Sequence, residues 1–387
     1  MSNAELYTGR EQTLVKHFIL RKYLERFAYI VGSHWDVLTY VDCFSGPWNA
    51  RSENFEDSSF AIALKELRNA RDTLAKQWGR SVQLRCFFLE KHGAAHAKLK
   101  EFADSVTDAQ IETKNATLEV SIPDILAFVR GGGSKAFPFL FIDPKGWTGF
   151  EMETITPLLR LNPGEVLMNF LTGHIRRFLH SPQEKTQESF RRLFGSSSFR
   201  AKVQGLAQLE REDAAVEEYT RNAKSVGSFN FGCNAIVLHP EIDRTHFNLI
   251  YLTRNLKGIE AFKDAEKKAM AVQEAARAEA QQCKRVASKG QSELFGSKEL
   301  RDSTHYESLR ERYPARARGL VLQALESQGR LLYDDAWMLA LSVPLSWESD
   351  LKHWIEAWKA EGRLKIVGMQ PRQRVPRRSE ENYLVWK

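Results

Sequence analysis

The chain has 387 residues, of which 43% are apolar and 27% are charged. This composition is typical of a globular protein with an ordinary core, and it excludes a collagen-like, coiled-coil or largely disordered chain. The length predicts two domains, or one large domain with an appendage. The net charge of +7 permits a nucleic-acid partner but does not require one.

Predicted helices and strands alternate over the first 275 residues. Apolar residues at helical spacing predict a helix over residues 11–31, which also carries a basic cluster that includes Lys16 and His17. Strands are predicted over residues 37–44, 82–89, 109–113, 137–142, 165–171, 234–239 and 247–253. Further helices are predicted over residues 58–77, 92–105, 122–130 and 150–160 and from residue 259. The alternation favours a doubly wound, Rossmann-like α/β sheet with helices on both faces.

Two stretches break this alternation. Residues 174–225 are helical and rich in Arg and Glu, and we interpret them as a helical insertion over one edge of the sheet. Residues 276–300 are rich in Ala, Glu, Gln and Lys, and we interpret them as a helical linker.

Two local signals mark helix ends: Asp57 or Ser58 is suited to cap a helix start, and Gly131–Gly133 to form a left-handed C-cap.

Residues 301–387 have a different pattern. Helices are predicted over 315–326, 334–341 and 346–360, followed by strands over 362–368 and 382–386, which is the order of a winged-helix domain. The loop of this wing contains six basic residues and no acid: Arg363, Lys365, Arg372, Arg374, Arg377 and Arg378. These residues account for nearly all of the net charge, and we expect them to lie along a nucleic-acid backbone. A solvated loop or a protein-binding wing is the alternative.

The cysteines and the apolar runs limit the classes of protein to which the chain can belong. The four cysteines are far apart and show no ligand spacing, so we expect no metal site. Cys43 and Cys86 stand in apolar runs and are expected to be buried thiols, as in a protein of the reducing cytoplasm. The first residues have no apolar signal-peptide segment, and no apolar run is long enough to cross a bilayer, so we expect no membrane partner.

Polar residues and glycines stand at the carboxyl ends of the predicted strands, where a doubly wound sheet binds its ligand. They are Asp42, Ser45 and Gly46 at the end of the first strand, Glu90 at the end of the second, Asn115 after the third, Asp143, Pro144, Lys145 and Gly146 at the end of the fourth, and Asn169 at the end of the fifth. Gly46 allows a ligand to approach the backbone, and Glu90 is suited to bind ribose hydroxyls, which favours a nucleotide-type cofactor. Alternatively, Gly46 only closes its turn and Glu90 only caps the next helix.

Four segments of the chain resemble motifs of the three-Cys-motif partner protein family (TcmP): Tyr40–Pro47, Phe141–Gly146, Val166–Phe170 and Thr253–Gly258. The resemblance extends from about residue 10 to residue 275. It implies a class I methyltransferase fold that uses S-adenosylmethionine. The family's name refers to a partner with three cysteines, so it says nothing about the cysteines of this chain.

The resemblance also implies roles for the strand-end residues. The turn with Asp42, Ser45 and Gly46 would wrap the methionine end of the cofactor, Glu90 would hold its ribose, and Asn115 would lie beside its adenine or cap a helix. Asp143, Pro144 and Lys145 occupy the place of the turn that orients an acceptor amine in amino-methyltransferases. A helix N-cap is the alternative for Asp143.

The sequence departs from that pattern at two turns. Lys145 and Gly146 replace the second proline and the aromatic residue, with Trp147 one position later, and Pro47-Trp48 replaces a second glycine. For His17 a solvated or capping role is favoured over a ligand contact. Lys145 and Arg254 are candidates to meet phosphate, with a surface salt bridge as the default.

We therefore expect an S-adenosylmethionine-dependent methyltransferase that acts on a nucleic acid. The alternative is a catalytically inactive Rossmann-like module that contacts nucleic acid or protein through its winged helix. A nuclease is disfavoured, because the sequence shows no clear cluster of carboxylates for a catalytic metal.

Overall fold

The structure, a computed structural model, describes residues 5–47, 50–146, 148–178, 183–196, 199–289 and 302–387. It divides into two compact units, the larger formed mainly by residues before 300 and the smaller mainly by residues from 301 onward. Within the described part of the chain, no helix has both the length and the apolar character needed to cross a membrane.

A seven-stranded sheet lies at the centre of the larger unit. Its strands are β1 (Val37–Asp42), β2 (Gln83–Leu89), β3 (Gln110–Lys114), β4 (Ala136–Ile142), β5 (Glu165–Phe170), β6 (Phe231–Leu238) and β7 (Thr245–Thr253). The strand order is β3-β2-β1-β4-β5-β7-β6; β1 to β5 are parallel and β7 is antiparallel to β5. The predicted α/β Rossmann-like sheet is confirmed. Because the order reverses between β1 and β4, a ligand crevice is expected at their carboxyl ends.

Helices cover both faces of this sheet, which explains why its central strands are continuous apolar runs. The helices are α1 (Glu11–Gly32), α2 (Ser59–Trp78), α3 (Gly93–Asp104), α4 (Leu118–Arg130), α5 (Met152–Leu159), α6 (Thr172–Phe178), α7 (Glu184–Phe194), α8 (Phe199–Val203), α9 (Gln208–Val226) and α10 (Leu256–Lys289), with a short 3-10 helix at Glu5–Tyr7. On one face α1 packs against α2 and α10. On the other, α4, α5, α7 and α9 share a core with the sheet.

Two helix ends can be compared with their sequence signals. The Ser58 hydroxyl accepts a hydrogen bond from the Ala61 N–H (3.4 Å), so Ser58 caps α2. The predicted left-handed C-cap of α4 is wrong at Gly131, which has φ of −61°; Gly133 is the residue with positive φ, at 79°. The helix therefore ends in a right-handed conformation at Gly131, and the left-handed conformation is adopted two residues later, at Gly133.

The predicted insertion over residues 174–225 differs from the expectation in its position. The ring centre of Phe170 in β5 lies 6.1 Å from that of Phe194 in α7 and 4.7 Å from that of Tyr219 in α9. These helices therefore pack on a face of the sheet rather than over its edge. Their Arg and Glu residues gave a polar composition that concealed this apolar side.

The stretch predicted as a linker begins inside α10. Ala276, Ala278 and Ala280 are buried. The Arg277 guanidinium donates to the His239 carbonyl oxygen (2.6 Å) and forms an ion pair with Asp243. Residues 276–280 are thus fixed on the larger unit, and residues 290–301 lie outside the described part of the chain.

The smaller unit combines three helices with a small sheet. Its elements are α11 (Thr304–Gln328), β8 (Arg330–Leu332), α12 (Tyr333–Leu341), α13 (Glu348–Ala360), β9 (Leu364–Val367) and β10 (Tyr383–Trp386). The strands form an antiparallel sheet in the order β8-β10-β9. Trp337 of α12 and Trp358 of α13 are almost completely buried and form the centre of its core. β8 was not predicted, because three residues between two helices carry no strand period.

Candidate active site

A cavity of about 1070 Å³ opens at the carboxyl ends of the central strands. Gly46 after β1, Glu90 after β2 and Asp143 after β4 all lie in its wall. The volume is at the upper end of the range of ligand pockets, which is sufficient for a nucleotide-sized molecule. The three strand-end positions that the sequence singled out are therefore brought together around one space.

The turn after β1 is built on a buried carboxylate. Asp42 accepts hydrogen bonds from the Phe44 N–H (3.1 Å) and the Ser59 hydroxyl (2.6 Å). The Ser45 hydroxyl donates to the Asp42 carbonyl oxygen at 2.8 Å. Asp42 and Ser45 lie beneath the wall, whereas Gly46, which follows them, lines the cavity. The two polar residues thus shape the turn that presents Gly46.

The pKa of Asp42 gives a test of this arrangement. Burial raises the pKa of Asp42 to about 6 from 3.8, although the hydrogen bonds from Ser59 and Phe44 oppose the rise. Because the folded state holds this proton more tightly than the unfolded state, the free energy of unfolding falls as pH rises from about 4 to about 6.

We expect Asp42→Asn to be less sensitive to pH than the parent, by about 2–3 kcal/mol between pH 4 and pH 7. The asparagine oxygen keeps the hydrogen bond from the Phe44 N–H but does not ionise. Urea unfolding of both proteins at several pH values measures the difference. The same pH dependence in both would contradict the assigned ionisation.

Glu90 has the helix-capping role that the sequence offered as the alternative, and it also lines the cavity. It is only 3% exposed and lies in the cavity wall. Its Oε1 accepts a hydrogen bond from the His92 N–H (2.6 Å) just before α3. Its second carboxylate oxygen has no hydrogen-bond partner among the described residues, so a ligand hydroxyl can be bound there.

Asn115 supports the Glu90 position from the next strand. Its Nδ2 donates to the Glu90 carbonyl oxygen at 2.8 Å. Asn115 is not part of the cavity wall, but Ala116, Thr117 and Leu118, which follow it, are. The Asn115 side chain therefore holds the strand end, and the next three residues supply the surface.

Two residues without a predicted site role, Lys16 and Asn169, hold Asp143 in place. The Lys16 ammonium of α1 forms an ion pair with Asp143 Oδ2. Asn169 Nδ2, at the end of β5, donates to Asp143 Oδ1 at 2.7 Å. Pro144 and Lys145 follow in the same wall, where partial burial lowers the pKa of the Lys145 ammonium.

His17 lies in the cavity wall, so the favoured solvated or capping role was wrong. It is buried, and a 2.9 Å hydrogen bond joins its Nδ1 to the Tyr7 hydroxyl. Burial, followed by the charge of Lys16, lowers the pKa of His17, so the imidazole is neutral at pH 7. The sequence signal was present in the helical spacing of Thr13, Lys16 and His17, which places all three on one side of α1.

Arg254 has neither of its expected roles. Its guanidinium donates to the carbonyl oxygens of Gly164 (3.0 Å) and Gly227 (2.5 Å). It also lies 4.2 Å from the centre of the Phe229 ring. Arg254 is thus a packing residue of the larger unit. Trp48 and Trp147 lie outside the described residues.

The basic residues of the tail occupy the β9–β10 region of the smaller unit. Lys365, Arg372 and Arg374 are exposed and have no acidic partner in the described part of the chain. The other three cations have internal neighbours: Arg363 lies 3.4 Å from Glu361, Arg377 lies 3.9 Å from Glu380, and Arg378 lies 4.5 Å from the centre of the Trp337 ring.

The loop that carries these cations is ordered by Asn382, which is fully buried. Asn382 Oδ1 accepts hydrogen bonds from Gln373 Nε2 (2.6 Å) and the Arg377 N–H (2.8 Å). Its Nδ2 donates to the Gly368 carbonyl oxygen at 2.9 Å. The exposed cations are therefore presented on a loop whose backbone is held in place.

Cys43 and Cys86 are buried free thiols, as predicted. Cys233 is also buried, and Cys283 is exposed. Among the described residues, no three or more His, Cys, Asp or Glu side chains are arranged to hold a metal ion.

Comparison with known proteins gives distant structural similarity. No family model and no curated protein matches the chain. The crystal structure of protein LPL1258 from Legionella pneumophila, described by the family model DUF519, is similar over 68% of this chain and 92% of its own, with 11% identity and a TM-score of 0.36. A loganic acid methyltransferase with SAH is similar over 70% of this chain and 85% of its own, with 8% identity and a TM-score of 0.32. Membership of the three-Cys-motif partner family stays a prediction.

Proposed function

We propose that the chain is a methyltransferase that binds S-adenosylmethionine in the cavity at the carboxyl ends of β1, β2 and β4. The observation that carries this proposal is the Glu90 carboxylate oxygen that has no partner among the described residues, in the same wall as the Gly46 turn and Asp143. The sheet order, with β7 antiparallel beside β5, agrees with the class I methyltransferase fold that the sequence motifs imply.

The wall residues suit the parts of this cofactor. The backbone at Gly46 leaves room for the methionine end, and the open Glu90 oxygen accepts a hydrogen bond from a ribose hydroxyl. Ala116 and Leu118 supply apolar surface for the adenine ring. S-adenosylmethionine, when bound, supplies the methyl group as an electrophilic sulfonium. Asp143 faces the space beyond the methionine end of the cofactor and orients the methyl acceptor.

We further infer that the smaller unit is a winged helix that binds nucleic acid. Its order of three helices and three strands, with a long β9–β10 loop as the wing, supports this assignment. Two acids, Glu348 and Asp350, stand in the first turn of α13 and disfavour base reading by that helix, and Asp350 forms an ion pair with Arg310 (3.0 Å). Backbone contact through the exposed wing cations is the mode that these charges support.

Isothermal titration of the full chain with S-adenosylmethionine and with S-adenosylhomocysteine tests the cofactor assignment. We expect both to bind, and Glu90→Gln to weaken both by about tenfold, because the position that faces the ribose then carries an amide NH2 donor in place of the accepting carboxylate oxygen. The Gln oxygen keeps the cap on the His92 N–H, so the variant is expected to fold.

Glu119→Gln is the matched control, since Glu119 lines the same cavity without a role in the proposed ribose contact. It is expected to bind both compounds with parent affinity. Folded parent protein that binds neither compound would overturn the proposed function.

A further inference from the structure

We propose that the amide oxygen of Asn169 is a substrate contact at the methyl-acceptor end of the cavity, where it accepts a hydrogen bond from a nitrogen-bound hydrogen of the acceptor group. This inference rests on the proposed function. It assigns to the cavity a substrate class, an acceptor that carries at least one N–H. It also assigns a specificity role to a residue that the sequence motifs left without one.

The position of Asn169 follows from the strand register. β4 and β5 are parallel, with Ile142 opposite Met168. The next pair in this register is therefore Asp143, just after β4, and Asn169, near the end of β5, and both line the cavity. Two polar side chains of adjacent strands thus stand side by side at the end of the cavity that receives the acceptor.

The orientation of the Asn169 amide is fixed by its partner. Asp143 Oδ1 lies 2.7 Å from one end of the amide, and an ionised carboxylate only accepts hydrogen bonds, so that end is the Nδ2 donor. The Asn169 oxygen is then directed away from the carboxylate. Among the described residues this buried oxygen has no hydrogen-bond partner, and the Asn169 residue is only 4% exposed.

A buried carbonyl oxygen without a partner is unfavourable, and in native proteins such an atom is usually satisfied by a water or a ligand. Here the residue stands in a cavity wall, so a ligand can supply the missing donor. The complementary group is a hydrogen-bond donor, which in the acceptor amine assigned to Asp143 is its N–H; carbonyl and ether oxygens of a ligand offer no hydrogen to this acceptor.

The surroundings explain why Asn169 is needed beside Asp143. Lys16 occupies the second oxygen of Asp143, so both carboxylate oxygens already accept one hydrogen bond. His246, in the same wall, is uncharged at pH 7, because burial lowers its pKa to about 4. Each Asp143 oxygen keeps one lone pair for the acceptor, and the Asn169 oxygen beside it has no hydrogen-bond partner among the described residues. Lys16 is a positioning residue that acts through Asp143.

The test uses two cofactor analogues, so that no substrate has to be known. S-adenosylhomocysteine lacks the transferred methyl group, whereas sinefungin carries an amine where that methyl group stands. We expect the parent to bind sinefungin more tightly than S-adenosylhomocysteine, and Asn169→Leu to lower this preference by about tenfold. The affinity of the variant for S-adenosylhomocysteine is expected to stay within about twofold of the parent.

Asn248→Leu is the matched control, because Asn248 of β7 is an equally buried amide, 4% exposed, that does not line the cavity. Its analogue preference is expected to equal that of the parent. If Asn169→Leu does not fold, Asn169→Ser decides the outcome, with an expected loss of preference in the same direction.

Two results would overturn the inference alone: a parent that binds both analogues equally, or an Asn169 variant that keeps the full preference for sinefungin. A folded parent that binds neither analogue would instead overturn the proposed function on which the inference rests. The two failures are therefore distinguishable within one set of titrations.

Discussion

Asp143→Ala is expected to slow methyl transfer by about 10²- to 10⁴-fold, the range typical of a residue that positions or accepts a proton at the reacting group. Asp143 lies at the end of β4 in the cavity wall, and it is held there by Lys16 and Asn169. The substitution removes the carboxylate that would orient the acceptor amine. Transfer of a labelled methyl group from S-adenosylmethionine to DNA, RNA and protein pools measures the loss and identifies the substrate class.

A structural effect of this substitution must be separated from a chemical one. Asp143→Ala leaves the buried Lys16 ammonium without its partner, which destabilises the wall. Asp143→Asn keeps an oxygen for Lys16 and is expected to slow the transfer in the same direction. Both variants should bind S-adenosylhomocysteine with nearly parent affinity. Transfer at the parent rate by either variant would exclude the role of Asp143 in catalysis.

Loss of three basic residues from the β9–β10 loop is expected to weaken the binding of a nucleic-acid duplex strongly. The variant Lys365→Gln, Arg372→Gln, Arg374→Gln removes the exposed tail residues that have no acidic partner in the described chain. If each contacts one phosphate, the slope of log affinity against log salt falls by about 0.9 per residue, and duplex affinity at 0.1 M salt falls by about 100-fold. Fluorescence anisotropy with a labelled duplex at several salt concentrations measures both quantities.

The matched control removes three cations from the larger unit. Lys65, Lys76 and Lys98 are exposed residues of α2 and α3, and their replacement by Gln changes the net charge by the same amount. This control is expected to bind the duplex almost as well as the parent. Equal losses in the two triple variants would mean that overall charge, rather than the wing, determines the affinity. The wing variant should fold, because Asn382 holds the loop through Gln373, Gly368 and the Arg377 backbone.

The sequence was sufficient to predict the sheet because the signals for its strands are local. Apolar runs such as residues 137–142 stand out between polar turns, and β4 (Ala136–Ile142) lies where that run predicts it. The same logic failed for residues 174–225. There, the many charged residues of α7 and α9 dominate the composition, and the position of these helices against the sheet depends on contacts far away in the chain.

The candidate site was predictable at the strand ends and only there. Topology brings the carboxyl ends of parallel strands together, so Gly46, Glu90 and Asp143 follow from their places after β1, β2 and β4. Lys16 belongs to a helix that precedes the sheet, and its ion pair with Asp143 joins residues 127 positions apart. Asn169 was noted at a strand end, but its unpartnered oxygen depends on the hydrogen bond to Asp143. Such contacts need three-dimensional structure.

A crystal structure of the full chain grown with S-adenosylhomocysteine tests most directly whether this cavity binds S-adenosylmethionine. The predicted result is electron density in the cavity, with the ribose hydroxyls on the Glu90 carboxylate, the adenine against Ala116 and Leu118, and the sulfur directed toward Asp143. An empty cavity at saturating ligand, or the ligand bound elsewhere on the chain, would contradict the claim.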